Sequence, residues 1–309
     1  MTPIAHAKWF VDRNGTYPGD HGFLAEPLTL GLVATAVAMA ALWVLATRRW
    51  PVAPVPLAGL ADRTPRLLAT TLGISLAALA ADGKLLSPGL AIGGSELGAV
   101  LATIQLLVAA WLIVGPRLRG SAFALAGLVA AVAAVAGPLP VLESGVVVGV
   151  ALYLVLALPG GVRERLHATS ALRLALGGSL IVVAFTEKLT APALTEAVLN
   201  DHPSLNLIAA AGLPLGDTSF VAVTGATEVF LGLVIMSGAG SQLIALAALV
   251  PFAATVAVFG VPELVGHLPI YGALGALAIG GSRTAAGVRL SAAEPTTAGR
   301  QAATPADLR

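Results

Sequence analysis

The chain contains no cysteine. Disulfides, zinc–thiolate sites, iron–sulfur clusters and thiol redox chemistry carried by the chain itself are thereby excluded. Charge is scarce too: 11% of the 309 residues are Asp, Glu, Lys or Arg, against about 25% in an ordinary soluble domain. Hydrophobic residues make up 57% and the mean hydropathy is +0.90. Those values exclude a water-soluble globule of this size, and they exclude disorder as the main state. No Walker loop, dinucleotide-binding glycine fingerprint, nucleophile elbow or zinc-protease motif occurs. The basic residues sit at the edges of apolar runs rather than in a patch, so nucleic acid is not an expected partner. The net charge of +1 is uninformative; the placement of the charges is not.

A spanning helix needs about 20 mostly apolar residues. Stretches between charges predict spans at 27–47, 97–116, 120–142 and 144–162, with shorter ones at 67–81 and 174–186. Three more fall near 218–237, 241–260 and 265–281. The expected fold is therefore an all-α, polytopic membrane helix bundle of about nine transmembrane helices. With nine spans, one side of the membrane receives 13 of the 17 Lys and Arg, and the other receives 11 of the 16 acids. Cytoplasmic loops are enriched in Lys and Arg, so the N-terminus is expected outside and the C-terminus in the cytoplasm. Trp43, Trp50 and Trp111 then fall at the inner interface, as an aromatic belt would. The first 26 residues lack a basic segment followed by an apolar stretch, so no cleavable signal is expected. The expected location is a bacterial-type plasma membrane, multi-pass.

The sequence repeats itself. Residues 68–90 align with 172–194 without gaps, and ten positions are identical, among them Gly73/Gly177, Ser75/Ser179, Lys84/Lys188 and Pro88/Pro192. Beyond this block the offset changes from 104 to 123, matching Gln105 with Glu228, Gly115 with Gly238 and Gly137 with Gly260. The second copy thus carries 19 extra residues in its first outer loop. Four helices per copy insert the same way up, which makes the copies parallel repeats. The predicted organisation is an outer N-terminal segment 1–26, a leading helix 27–47, a degenerate four-helix unit 66–159, a second unit 171–281 and a mobile cytoplasmic tail 282–309.

Glu228 carries the strongest chemical signal. It falls near mid-membrane, where a carboxylate costs several kcal/mol unless protonated, paired or wetted, and where ionisable residues mark function. A structural hydrogen bond to a neighbouring helix is the competing reading. Its counterpart Gln105 keeps the polarity and loses the proton. Lys84 is expected to snorkel to the outer headgroups. Lys188, beside Glu187 after a short apolar run, suits a semi-buried ion pair, with Glu228 as one partner across helices. Glu187 and Lys188 are sequence neighbours and so point in different directions on a helix. His6, His21, His202 and His267 are expected outside and match no metal motif, so no metal site is expected. His267 begins the last helix beside Tyr271 and could reach the bundle mouth. Gly145 with Gly149, and Gly272 with Ala276 and Gly280, read as close helix packing.

The second unit resembles the DoxX family. The resemblance is carried by Leu172-Arg173-Leu174, Leu176-Gly177 and Lys188-Leu189, then by Glu228 with Gly232 and Gly238. It covers about 171–281, and the first unit, with Gly83-Lys84-Leu85 and Gln105 in place of the Glu, is similar in a degenerate form. The family fold is a four-helix membrane unit. Relatives include subunits linked to thiosulfate–quinone oxidoreduction and to oxidative-stress complexes. The resemblance therefore implies a membrane subunit associated with quinone-linked or oxidative-stress redox chemistry. Glu228, Lys188 and Glu187 are the candidates for chemistry, and Gln105, Glu228, His267 and Tyr271 for holding a quinone. The expected partners are the lipid bilayer and a redox or outer-face protein. A non-catalytic scaffold docking an outer partner through loop 189–217 and the N-terminal segment, and a small-solute or proton-coupled transporter, stand as alternatives.

Overall fold

A computed structural model describes residues 17–50, 56–91, 95–158, 161–213 and 215–293, with side chains up to residue 280 except at 58, 162, 207, 210 and 254. The helices begin and end where local chemistry dictates. Asp20 opens α1 (His21–Ala25) by accepting from the Gly22 and Phe23 amides at 2.9 and 3.2 Å. Pro27 then starts α2 (Pro27–Arg49), a first-turn position where its missing N–H costs nothing. Arg48 and Arg49 close α2, opposite the negative end of its dipole. Next come α3 (Thr64–Ala81), α4 (Glu96–Val114), capped by the Ser95 hydroxyl, and α5 (Leu118–Ala136).

The expected span 120–142 is divided here. Gly137 has φ +85°, a conformation that suits glycine, and Pro138 lacks the N–H that would continue the ladder. The chain restarts as α6 (Pro138–Glu143) and, after Ser144, as α7 (Gly145–Ala157). Then α8 (Val162–Ala184) runs into a π-helical turn over Phe185–Leu189. The remaining helices are α9 (Pro192–Asp201), α10 (Leu207–Ala210), α11 (Asp217–Ser237), α12 (Ser241–Phe259) and α13 (Val261–Ala293). Residues 282–293 of the expected tail are thus helical, and 294–309 lie outside the described residues.

The protein is an all-α polytopic membrane bundle. Eight helices among the described residues are long and apolar enough to cross a membrane, where nine were expected. The ninth is the expected span 144–162, where α7 has only 13 residues; α6 directly precedes it, and its far end meets Asp62 and Arg165, so the chain still runs from one end of the bundle to the other there. On α2 only 17% of the apolar window is buried, and Leu28, Leu30, Met39, Leu42 and Leu45 face outward. A stripe of that size is an aggregation hazard in water and the normal exterior in lipid.

In the interior α8 packs on α7 and α11, α11 also on α2, and α3 on α4 and α13. Small residues allow these approaches, as expected for helices that gain little from hydrophobicity in lipid. Gly145 and Gly149 lie against Ala175, and Gly272 against Thr71. Where α8 crosses α11, a Cβ on Gly177 would lie 2.5 Å from the Gly232 carbonyl oxygen, and one on Gly232 would lie 2.6 Å from that of Gly177. At the opposite end of α11 from Asp217, the Trp43 indole donates to the Ala239 carbonyl at 2.8 Å, pinning α2 to the α11–α12 turn.

The described part of the 189–217 loop forms a folded cap. Leu194, Val198, Leu199 and Leu205 bury themselves with Phe23 and Phe220. The Asp20 amide donates to the Thr190 carbonyl at 2.8 Å. The N-terminal segment and the 189–217 loop, both expected to reach for an outer partner, are thus joined to each other over one end of the bundle, while residues 1–16 lie outside the described part.

Candidate functional site

The crossing of α8 and α11 places two charged side chains together. Glu228 lies midway along α11, only 5% exposed, and Lys188 sits in the π-helical turn, 0% exposed. Lys188 Nζ is 3.0 Å from Glu228 Oε1. Two local features make this possible. The π-helical turn carries an extra residue in the helical ladder, a form found mostly at functional sites, and it closes with the Thr190 amide donating to the Phe185 carbonyl at 3.0 Å. Gly225 leaves room on α11: a Cβ there would lie 2.8 Å from Leu189 and 3.3 Å from the Lys188 Cβ. The lysine stem therefore runs along α11 toward the carboxylate. The Thr195 hydroxyl of α9 donates to the Glu187 carbonyl at 2.8 Å, so the cap closes over the same turn.

The counterpart of this pair behaves differently. Gln105 is fully buried; its amide nitrogen donates to the Leu76 and Lys84 carbonyls at 3.0 and 3.1 Å, and its oxygen accepts from the Leu86 amide at 2.9 Å. It holds the turn that follows α3. Lys84 pairs with Asp82 and keeps 21% of its side chain exposed. Replacing Gln105 by Leu should strand the Leu86 amide and two carbonyls and cost about 1–3 kcal/mol. Thermal unfolding of the purified variant measures this, and an unchanged midpoint would show that the turn does not need the amide.

Glu187, one residue before Lys188, points elsewhere, as its helical position requires. It lines a cavity of about 220 Å³ with Glu143, Ser144 and Ser179, the turn after α3 (Leu86 to Leu90), and Gly266, Pro269 and Ile270 of α13. The Ser179 hydroxyl donates to the Glu143 carbonyl across α8 and α6. Glu143 and Ser144 were not singled out from the sequence, because at a helix boundary they look like ordinary loop residues; only the fold brings them beside Glu187.

A third polar cluster lies between α12 and α13. His267 Nδ1 is 3.1 Å from Glu263 Oε1, and both side chains are fully buried. The His267 ring meets Phe252 edge-on at 5.0 Å, and the Tyr271 hydroxyl donates to the Phe252 carbonyl at 2.7 Å. His267, expected to reach the bundle mouth, is instead buried and paired with the acid one turn earlier, as the i, i+4 spacing allows. His202 packs edge-on against Phe259 at 5.2 Å. Among the described residues no three His, Cys, Asp or Glu side chains come close enough to hold a metal ion.

The sequence candidates thus separate into three places. Lys188 and Glu228 meet each other, Glu187 faces the cavity, and Gln105 serves the first half of the bundle alone. The quinone candidates do not form a pocket. Gln105 and Tyr271 spend their hydrogen bonds on backbone carbonyls, and His267 is paired with Glu263. The cavity offers carboxylates, which repel the carbonyl oxygens of a quinone. These residues do not fit a quinone headgroup. Compared with family models, curated proteins and solved structures, the chain matches none.

Proposed function

We propose that this chain is a DoxX-like subunit of a bacterial-type plasma membrane, built from a leading helix and two parallel four-helix units, that handles a proton at depth for quinone-linked or oxidative-stress redox chemistry. The observation that carries this reading is the buried Lys188–Glu228 pair at 3.0 Å. Two ionised groups at that depth cost more than apolar residues of the same size, and the expense is characteristic of proton relays. A lysine beside a carboxylate can pass one proton between them and so neutralise both. Because the chain's own residues do not suit a quinone, the redox group belongs to the partner, and this subunit supplies the proton step.

The duplication is supported by matching contacts. Gly73 meets the Ala109 carbonyl as Gly177 meets that of Gly232, and at the other matched positions the Gln105 amide meets the Lys84 backbone carbonyl where Glu228 meets the Lys188 side chain. All four matches obey the two sequence offsets of 104 and 123. Only the second unit keeps the ionisable member of the pair. The concentration of Lys and Arg in the loops at the other end supports an outer position for the capped end of the bundle.

The test compares bacterial membranes carrying the wild-type chain, Glu228→Gln or Lys188→Met with its redox partner. Quinone-coupled electron transfer and the accompanying proton uptake are followed together. Glu228→Gln should lower proton-coupled turnover at least tenfold while the protein remains monodisperse. Unchanged turnover and proton stoichiometry would overturn the reading. Proton movement that depends on Glu228 without any redox partner would favour proton-coupled solute transport, which the cavity beside Glu187 also supports.

A further inference from the structure

We infer that the cavity between the two halves of the bundle is a binding site for a small primary ammonium ion carrying a short apolar group. This site is distinct from the Lys188–Glu228 pair and stands whether or not that pair moves protons. Its described lining contains two carboxylates, Glu143 and Glu187, and no lysine, arginine or histidine. Glu187 is 1% exposed, and where water screens poorly a cation held beside a carboxyl group favours its ionised form.

A second observation is independent of the acids. Ser144 lines the same cavity and is 6% exposed, and its hydroxyl has no hydrogen-bond partner among the described residues. Buried polar groups are nearly always satisfied, and an orphan in a cavity wall asks for a ligand atom. An ammonium group has three N–H donors, and Glu143, Glu187 and Ser144 all line the one space. The remaining wall is apolar: Leu86, Leu90, Val147 and Ile270. That wall suits the carbon part of an alkylamine and gives nothing to a second charge. At about 220 Å³ the space falls below the roughly 300 Å³ where drug-sized pockets begin, so the ligand is small. Glu143 is only half-buried, so the cavity is reached from the capped end of the bundle.

An ammonium at this end of a membrane bundle has two sources, a free amine in solution or the headgroup of an aminophospholipid. The probe is n-butylammonium chloride, titrated calorimetrically into the intact protein in phosphatidylcholine nanodiscs at low ionic strength, with 1-butanol as the neutral comparator. Saturable one-to-one binding is expected, at least tenfold tighter than for the alcohol. Glu143→Gln, at the accessible rim, should weaken it tenfold or more, Glu187→Gln at least as much, and Ser144→Ala about threefold. Equal binding of the alcohol, no binding of the amine, or unchanged affinity in folded Glu143→Gln would overturn the proposal. Repeating the titration with phosphatidylethanolamine in the nanodisc identifies the source. A weaker apparent affinity means that the headgroup competes for the site, and an unchanged one means that the ligand is a free amine.

Discussion

Glu228→Leu should cost the fold about 3–5 kcal/mol, because it leaves the Lys188 ammonium buried with its partner removed. Lys188 is fully buried and its described charge partner is Glu228 Oε1, at 3.0 Å. An ammonium there cannot turn to water, since α9 and the Thr195 contact close over its turn. The loss should therefore show as a large drop in thermal midpoint, and as protease sensitivity of the 190–206 segment. The paired variant Lys188→Met with Glu228→Leu removes both charges at similar volume and should recover most of the loss, since a buried ion pair adds little net stability over apolar residues that fit. A double-mutant cycle separates the coupling from the packing. If Glu228→Leu were as stable as the wild type, the ammonium would have another way out, and the pair would not be the expensive feature that the functional reading requires. A stable paired variant that has lost proton-coupled turnover would show that the charges are kept for chemistry rather than for the fold.

The second large effect concerns the crossing that delivers this pair. In Gly177→Ala the new methyl group would sit 2.5 Å from the Gly232 carbonyl oxygen and 2.5 Å from Met236. Backbone cannot swing aside as a side chain can, so α8 and α11 must move apart. Overpacking of this kind costs about 1–3 kcal/mol, and it lengthens the Lys188–Glu228 separation as well. The neighbouring Gly178 is the control, because nothing lies within 4 Å of a Cβ there. Gly178→Ala should be neutral or stabilising by up to about 1 kcal/mol, the ordinary advantage of alanine over glycine in a helix. Parallel thermal melts of the two variants decide the matter: similar midpoints would mean that the helices do not touch as closely as their carbonyls indicate.

Much of this architecture was legible before any coordinates. Hydropathy and charge spacing located α2, α4, α11 and α12 closely, because lipid solvates a helix according to the composition of a single stretch. The boundaries that failed were decided by neighbours or by backbone geometry. Gly137-Pro138 divided an apolar run that composition alone joined. The helix α8 extended back through Arg163, Glu164 and Arg165, charged residues that marked an interface on paper.

The site was legible only in part. Glu228 stood out because an acid in an apolar run is a local fact. The link from Glu187 and Lys188 to two separate surroundings also followed from helical geometry. The inward turn of His267 and the retirement of Gln105 into backbone hydrogen bonds depended on which faces the helices present to one another.

By itself the sequence determined the membrane class, the scarcity of charge within the apolar stretches and the position of an acid midway along one of them. Each of these sums transfer energies along the chain and needs no knowledge of what lies beside it. Only the tertiary structure decided that Lys188 reaches Glu228 while Lys84 does not, and that Glu143, Ser144 and Glu187 close round one cavity. Those outcomes depend on the rotation of each helix about its axis, and a glycine contact of a few ångströms between α8 and α11 sets that rotation for the charged pair.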